Sequence, residues 1–284
     1  GVQTCALPIS VCILPIVIVA VLVFCGCFLK FKTLIINTKY LQTFVSERFV
    51  NDERYRKGHL NIIAAPAGTL ILGMHTPEMK KVAKQIVASC SWHEQLSIWQ
   101  NHRQPTGKNG LSHEERMIWG LVIDYARMPL TERLNRIDRF IPAIDNWAIC
   151  DNFCCNSKWV EHEDKQQVWT YIVRLIDSTG EFSTRTGLVL ALAHFLDAPN
   201  LPRTLETVAG MHLTDAEPYY TKMGAAWLFA TALTKDFQAA LPYLLNNKLD
   251  RWIHNKTIQK AIESRLPTAQ QKNYLRTLRR TANG

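Results

Sequence analysis

No pair of Cys-x-x-Cys motifs occurs in the 284 residues, although eight cysteines are present. That absence removes the usual zinc-ribbon spacing. The scatter of the cysteines matches no secreted disulfide framework either. Cys5, Cys12, Cys25 and Cys27 lie in the opening segment, and Cys90, Cys150, Cys154 and Cys155 lie in the body. Cys150 and Cys154 are four apart and could share a metal on one helix face. No second pair accompanies them, so the body cysteines read as buried free thiols of a reducing cytosol. Sustained alternation of apolar and polar residues is also missing, which argues against a half-buried sheet as the framework. No paired acids and no nucleophile triad stand out, so two-carboxylate and triad mechanisms have no obvious carrier. The first 39 residues contain no acid, and no methionine precedes Met74.

The opening is read apart from the rest. Residues 1–9, GVQTCALPI, are the translation of a common sequencing adapter, which points to an assembled environmental read, bacterial by expectation. Val11 to Leu29 is a run of nineteen residues without a charge, long and apolar enough to be a membrane-span candidate. Lys30 and Lys32 follow it and would leave the body cytoplasmic if the span were real. Beside an adapter-like string it reads instead as translation upstream of the true start. Residues 1–39 are therefore assigned to a non-native or upstream-translated segment, and 40–284 to a single domain in the cytoplasm. Of the net charge of +9, the body retains +6, from 30 basic and 24 acidic residues. Such an excess suits a polyanion but does not require one.

What the body does have is helical periodicity, repeated. LQTFVSERFVNDERYRKG is amphipathic from Leu41. TPEMKKVAKQIVASC opens with Thr76 as N-cap and Pro77 in the first helical position, where a missing N–H costs nothing. Ser112 and Glu115 are spaced as a capping box. TERLNRIDRFIPAI, DKQQVWTYIVRLIDS, FSTRTGLVLALAHFLD, LPRTLETVAGMHL and four further stretches continue the series to Arg280. GTLILGM, from Gly68, has no partner strand and reads as a buried loop. About a dozen helices, paired at a spacing of roughly 35 to 45 residues, fit a helical-repeat solenoid. A globular bundle fits the pattern as well.

One stretch, DNWAICDNFCCNSKW, sets Trp147 four residues before Asp151. On a helix capped by Asp145 or Asn146 the two share a face. An indole beside a carboxylate suits a cationic or cation-developing ligand. A core tryptophan, with Asp151 paired to a nearby arginine, fits the spacing too. Arg185 opens an otherwise apolar helix, and Trp227 follows Tyr220 by two turns with Lys222 and small residues between. Each of these is also consistent with solvation or packing, and the basic C-terminal stretch with a solvated helix.

Together the stretches LILGMHTPEMKKVAKQI, RFIPAIDNWAICDNFC, TRTGLVLALAHFL, YYTKMGAAWLFATAL and NKTIQKAIESRL resemble the AlkD-like DNA alkylation repair family, the HEAT-like-repeat alkylpurine DNA glycosylases. The resemblance runs from about Tyr40 to Arg280. It implies an all-α solenoid, a right-handed superhelix of antiparallel helix pairs, whose concave face holds duplex DNA containing alkylated bases. It implies hydrolysis of the N-glycosidic bond of cationic N3- or N7-alkylated purines, without metal or cofactor and without a deep base-flipping pocket. By motif position Asp151 is the catalytic carboxylate, Trp147 and Trp227 hold the damaged nucleotide, and Arg185 contacts the adjacent phosphate. Tyr220 and Lys222 are expected as further backbone contacts, and the protein as a monomer. Two other outcomes remain: a DNA-structure-binding protein on this scaffold without catalysis, and a helical-repeat scaffold for protein partners.

Overall fold

The structure is a computed structural model that describes residues 34–281, apart from residues 90, 103, 105, 108 and 109. The expectations for residues 1–9 and 11–29, and for Cys90, fall outside the described residues. Within them lie fifteen α-helices and three 3-10 segments, with no strand. No helix among the described residues is long and apolar enough to cross a membrane.

The helices are α1 (Thr38–Leu41), α2 (Glu47–Asn51), α3 (Glu53–Ile63), α4 (Thr76–Ala88), α5 (Trp92–Gln100), α6 (His113–Tyr125), α7 (Leu130–Phe140) and α8 (Trp147–Asn156). They continue with α9 (Lys165–Ile176), α10 (Glu181–His194), α11 (Leu201–Gly210), α12 (Tyr219–Lys235), α13 (Phe237–Leu245), α14 (Arg251–Glu263) and α15 (Ala269–Thr277). From α4 onward the even-numbered helices lie side by side in chain order, α4 on α6, α6 on α8, and so to α14. The odd-numbered helices form a second layer, each packed on an even one. Two layers in strict alternation are the build of an α-solenoid, and the bundle reading is set aside.

The sequence explains the layering. A helix apolar around its circumference must be covered on all sides. In α6 every residue from His113 to Asp124 is buried, and α10 is buried from Thr184 to Leu192. Gly187 lets α9 come close to α10: a Cβ there would stand 2.9 Å from the Ile176 amide nitrogen and 3.0 Å from the Ile172 carbonyl oxygen. The capping box of Ser112 and Glu115 is formed as expected, and Glu115 also accepts from Thr38 Oγ1 at 2.9 Å.

Three local expectations change. The amphipathic stretch from Leu41 is not one helix but α1, a 3-10 turn, α2 and α3. Ser46 and Asp52 are extended, and the Asp52 carboxylate caps α3 by accepting from Tyr55 N at 2.8 Å. The cap of α4 is His75, not Thr76, which moves Pro77 one position into the helix. A helix that the pattern left unmarked, α5, buries Trp92, Gln95, Leu96 and Trp99, the i, i+3, i+4, i+7 positions of one stripe. Residues 34–39, grouped above with the opening, pack on the body. Ile36 is buried, and its amide donates to Gln95 Oε1 at 2.7 Å. The segment from Gly68 to Met74 has no regular structure, and Leu72 N and Gly73 N donate to the buried Glu114 carboxylate at 2.9 and 2.8 Å.

Candidate functional site

The start of α8 is set by a buried chain of polar groups. Arg116 on α6, fully buried, reaches Asp145 Oδ1 at 2.6 Å and the Ala143 carbonyl at 3.1 Å. Asp145 Oδ1 accepts from Asn146 Nδ2 at 2.8 Å. Asn146 Oδ1 in turn accepts from Ala148 N and Ile149 N, at 3.1 and 3.3 Å, which makes Asn146 the cap. Trp147 then enters the first turn, and its indole N–H donates to the Ile62 carbonyl at the end of α3, 2.8 Å away. One turn on, Asp151 projects from the same face.

Cys150 and Cys154 flank this face on the side that packs against α10. Both are buried free thiols at 3.6 Å from Thr186 atoms on α10. Cys155 is exposed and not buried like the other two, because it lies one turn beyond Asp151 on the open side.

A cleft of about 450 Å³ joins these residues to later repeats. Trp147 and Asp151 from α8, Arg185 from α10, Tyr220 and Trp227 from α12 all line it. Tyr219, Met223, Lys260 on α14 and Ala64 at the end of α3 complete the wall. The periodicity of α12 accounts for its share: at about 100° per residue, positions 219, 220, 223 and 227 fall within one arc. Ala64 closes α3 in the left-handed region, with φ of 51°.

Arg185 forms the arginine partner of Asp151 that the spacing also allowed. Its guanidinium faces Asp151 instead of opening outward. Nε and Nη2 donate to the two carboxylate oxygens at 3.0 and 2.9 Å, and Nη1 donates to the Tyr220 carbonyl at 2.9 Å. The side chains are 6% and 14% exposed, so the pair is largely shielded from water. The planar fork and the carboxylate form a bidentate clamp between neighbouring repeats.

Lys222 lies apart from the cleft. On α12 it lies about 60° beyond Tyr219, away from Tyr220 and Trp227. Its ammonium binds the Asp215 carbonyl and carboxylate at 2.5 and 2.9 Å and sits over the Trp252 ring, outside the cleft. Beside Arg185, the cleft wall carries the cation of Lys260, at 2.9 Å from Glu263. Its signal was present in NKTIQKAIESRL, two turns after Trp252.

Burial pushes the Asp151 carboxyl upward, and the charge and hydrogen bonds of Arg185 pull it back. The net direction is up. Burial likewise raises Tyr220, whose ring lies 5.5 Å from the Arg185 guanidinium carbon. No group of three or more His, Cys, Asp or Glu side chains among the described residues is arranged to hold a metal ion. The cleft thus offers indole and phenol faces and one buried carboxylate with a fixed orientation. Ring faces and a carboxylate stabilise positive charge.

A family model described as DNA alkylation repair enzyme matches residues 47–264, more than half of the chain. No curated protein and no solved structure matches it.

Proposed function

The chain belongs to the DNA alkylation repair enzyme family, and on that premise we propose that it is a DNA glycosylase for cationic N3- and N7-alkylated purines in duplex DNA. The observation that carries the reading is the convergence of Trp147, Asp151 and Trp227, from two repeats, on one open cleft.

An alkylated purine already bears the positive charge that makes it a leaving group, so its departure needs no general acid. Positive charge then moves from the base toward the deoxyribose, giving an oxocarbenium-like transition state. Asp151 stabilises that charge and orients the attacking water. Each carboxylate oxygen has two acceptor directions, and Arg185 takes one on each, leaving the others for sugar and water. Unit charges about 4 Å apart in a partly buried site interact by about 4 kcal/mol, on the order of a thousandfold in rate. Trp147, its plane held by the bond to the Ile62 carbonyl, and Trp227 bracket the nucleotide from two sides. Tyr220 serves the backbone. No metal or cofactor takes part, and the enzyme works as a cytoplasmic monomer.

The test is release of free 7-methylguanine from a duplex by the wild type and by Asp151→Asn. The expected outcome is release by the wild type and a loss of at least a hundredfold in the variant. A second reading, a DNA-structure-binding protein without excision, draws on one observation: both Asp151 oxygens already face Arg185, as in a purely structural ion pair. Retained duplex binding with no base release by the wild type would establish that second reading and overturn the first.

A further inference from the structure

Trp147 is only half-buried, so packing alone does not fix its ring plane. Its one hydrogen bond runs from the indole N–H to the Ile62 carbonyl, 2.8 Å away. That carbonyl is among the last four of α3, which have no partner inside the helix. Ala64, with φ of 51°, ends the helix there and turns its own N–H back to the Leu60 carbonyl at 3.0 Å. The direction of α3 therefore sets the place of the acceptor that the Trp147 indole follows.

α3 itself is thinly attached, and Ile63 is its only buried side chain. One buried point holds the end of a helix but not its direction. The second point is His59, one turn earlier on the same face. Its ring stands nearly perpendicular to that of Phe49 on α2, with centroids 5.4 Å apart. Phe49 is buried and sits directly on Gly73, where a Cβ would stand 2.1 Å from the ring carbon Cγ. Gly73 has φ of 89°, a conformation that glycine adopts at no steric cost. The backbone beneath the ring is fixed in turn. Gly73 N donates to Glu114 Oε1 at 2.8 Å, and the Gly73 carbonyl accepts from Ser46 N, at the start of α2, at 3.3 Å. A continuous series of contacts thus runs from the buried Glu114 on α6 through Gly73, Phe49 and His59 to Ile62 and the Trp147 indole.

We propose that Phe49, seated on Gly73, is a positioning residue for Trp147: it sets the direction of α3 and, through the Ile62 carbonyl, the plane of the indole in the cleft. The consequence for excision rests on the glycosylase reading of the cleft, whereas the consequence for the indole does not. Phe49 is no part of the cleft wall and acts only through Trp147. A holding group that is slightly misplaced still binds the nucleotide but presents it badly to Asp151, so the loss falls on the rate of the bound complex.

The experiment joins NMR of the indole N–H to a double-variant cycle. In isotope-labelled protein the Trp147 indole signal is assigned by its loss in Trp147→Phe. In the wild type it should be shifted by its hydrogen bond and slow to exchange with solvent. Phe49→Ala and Gly73→Ala breach one contact from its two sides, and both should move the signal toward that of a free indole. Each should also slow the saturating single-turnover release of 7-methylguanine by about three- to tenfold, the size of one neutral hydrogen bond, with KM unchanged. Trp147→Phe has no N–H to place, so adding Phe49→Ala to it should slow release no further. An indole signal that keeps its wild-type position in both alanine variants overturns the proposal. Losses that multiply in the double variant overturn it too, since they mark a general loss of fold. Wild type that releases no base overturns the glycosylase reading alone, and the indole signal then decides the positioning role by itself.

Discussion

Replacing Arg185 by glutamine tests what the ion pair does for Asp151. The substitution keeps a hydrogen-bond donor near the carboxylate and removes the charge. With N–O distances of 2.9 and 3.0 Å, the charge centres are about 4 Å apart. At the effective dielectric of a partly buried pair this is an interaction of about 4 kcal/mol, or about 3 pK units at most. Carboxylates beside an arginine shift by about 1 to 3 units, which sets the working range. Burial already pushes Asp151 above the ordinary carboxylate value, with Arg185 as the opposing influence. Without Arg185 only the upward push remains.

Excision needs the ionised carboxylate, so the rate falls as pH drops through the folded pKa. In the wild type that acid limb lies somewhat above the usual carboxylate range. In Arg185→Gln it should move to higher pH by about 1 to 3 units, measured as the single-turnover release of 7-methylguanine against pH. Stability carries the same sign. A carboxyl whose folded pKa is raised binds its proton more tightly in the native state, so stability declines as pH rises from the unfolded value through the folded one. The variant should therefore be weakest near neutrality, by about 3 to 5 kcal/mol for an unpaired buried charge, and should recover part of this in mild acid. If the limb stays in place while the rate drops uniformly, Arg185 does not act through the Asp151 charge and the clamp is wrong. A phosphate contact would instead weaken binding and leave the limb where it was.

Other outcomes follow from the fold. Asn146→Ala removes a fully buried cap on α8 and should lower stability by about 1 to 2 kcal/mol in denaturant titration. His113 is buried and held neutral, its pKa pushed down to about 3 by burial first and by Arg116 next. The unfolded chain then binds the extra proton between about pH 6.5 and 3, so stability should fall through that window on acidification, by up to about 5 kcal/mol; His113→Gln should flatten that part of the pH–stability curve. Arg116→Met strands the Asp145 carboxylate and should destabilise by about 3 to 5 kcal/mol, much of it regained when Asp145→Asn is added. Gly187→Ala forces α9 away from α10 and should lower stability by about 1 to 3 kcal/mol.

The layered helices were legible because each carries its own record: an apolar stripe, a cap, a connection of a few residues. The breaks before α2 and α3 were not, since Ser46 and Asp52 sit inside a pattern that scans as helix and interrupt it through extended backbone, with a side-chain cap at Asp52 alone. Spacing could put Trp147 and Asp151 on one face because four residues make one turn. It could not say which way Arg185 points, since that depends on a carboxylate 34 positions away. The same limit holds for Lys222, whose partner Asp215 lies in the loop before its own helix. Both are long, charged side chains, which several competing partners can claim and whose choice is made by burial across repeats. Short-range aromatic positions, Trp147 and Trp227, reached the cleft because their direction is set by the helix alone. In a solenoid this division is physical: faces are local properties, whereas ion pairs are decided between neighbouring repeats. The Arg185→Gln pH profile therefore probes the one element of the cleft that sequence periodicity could not supply.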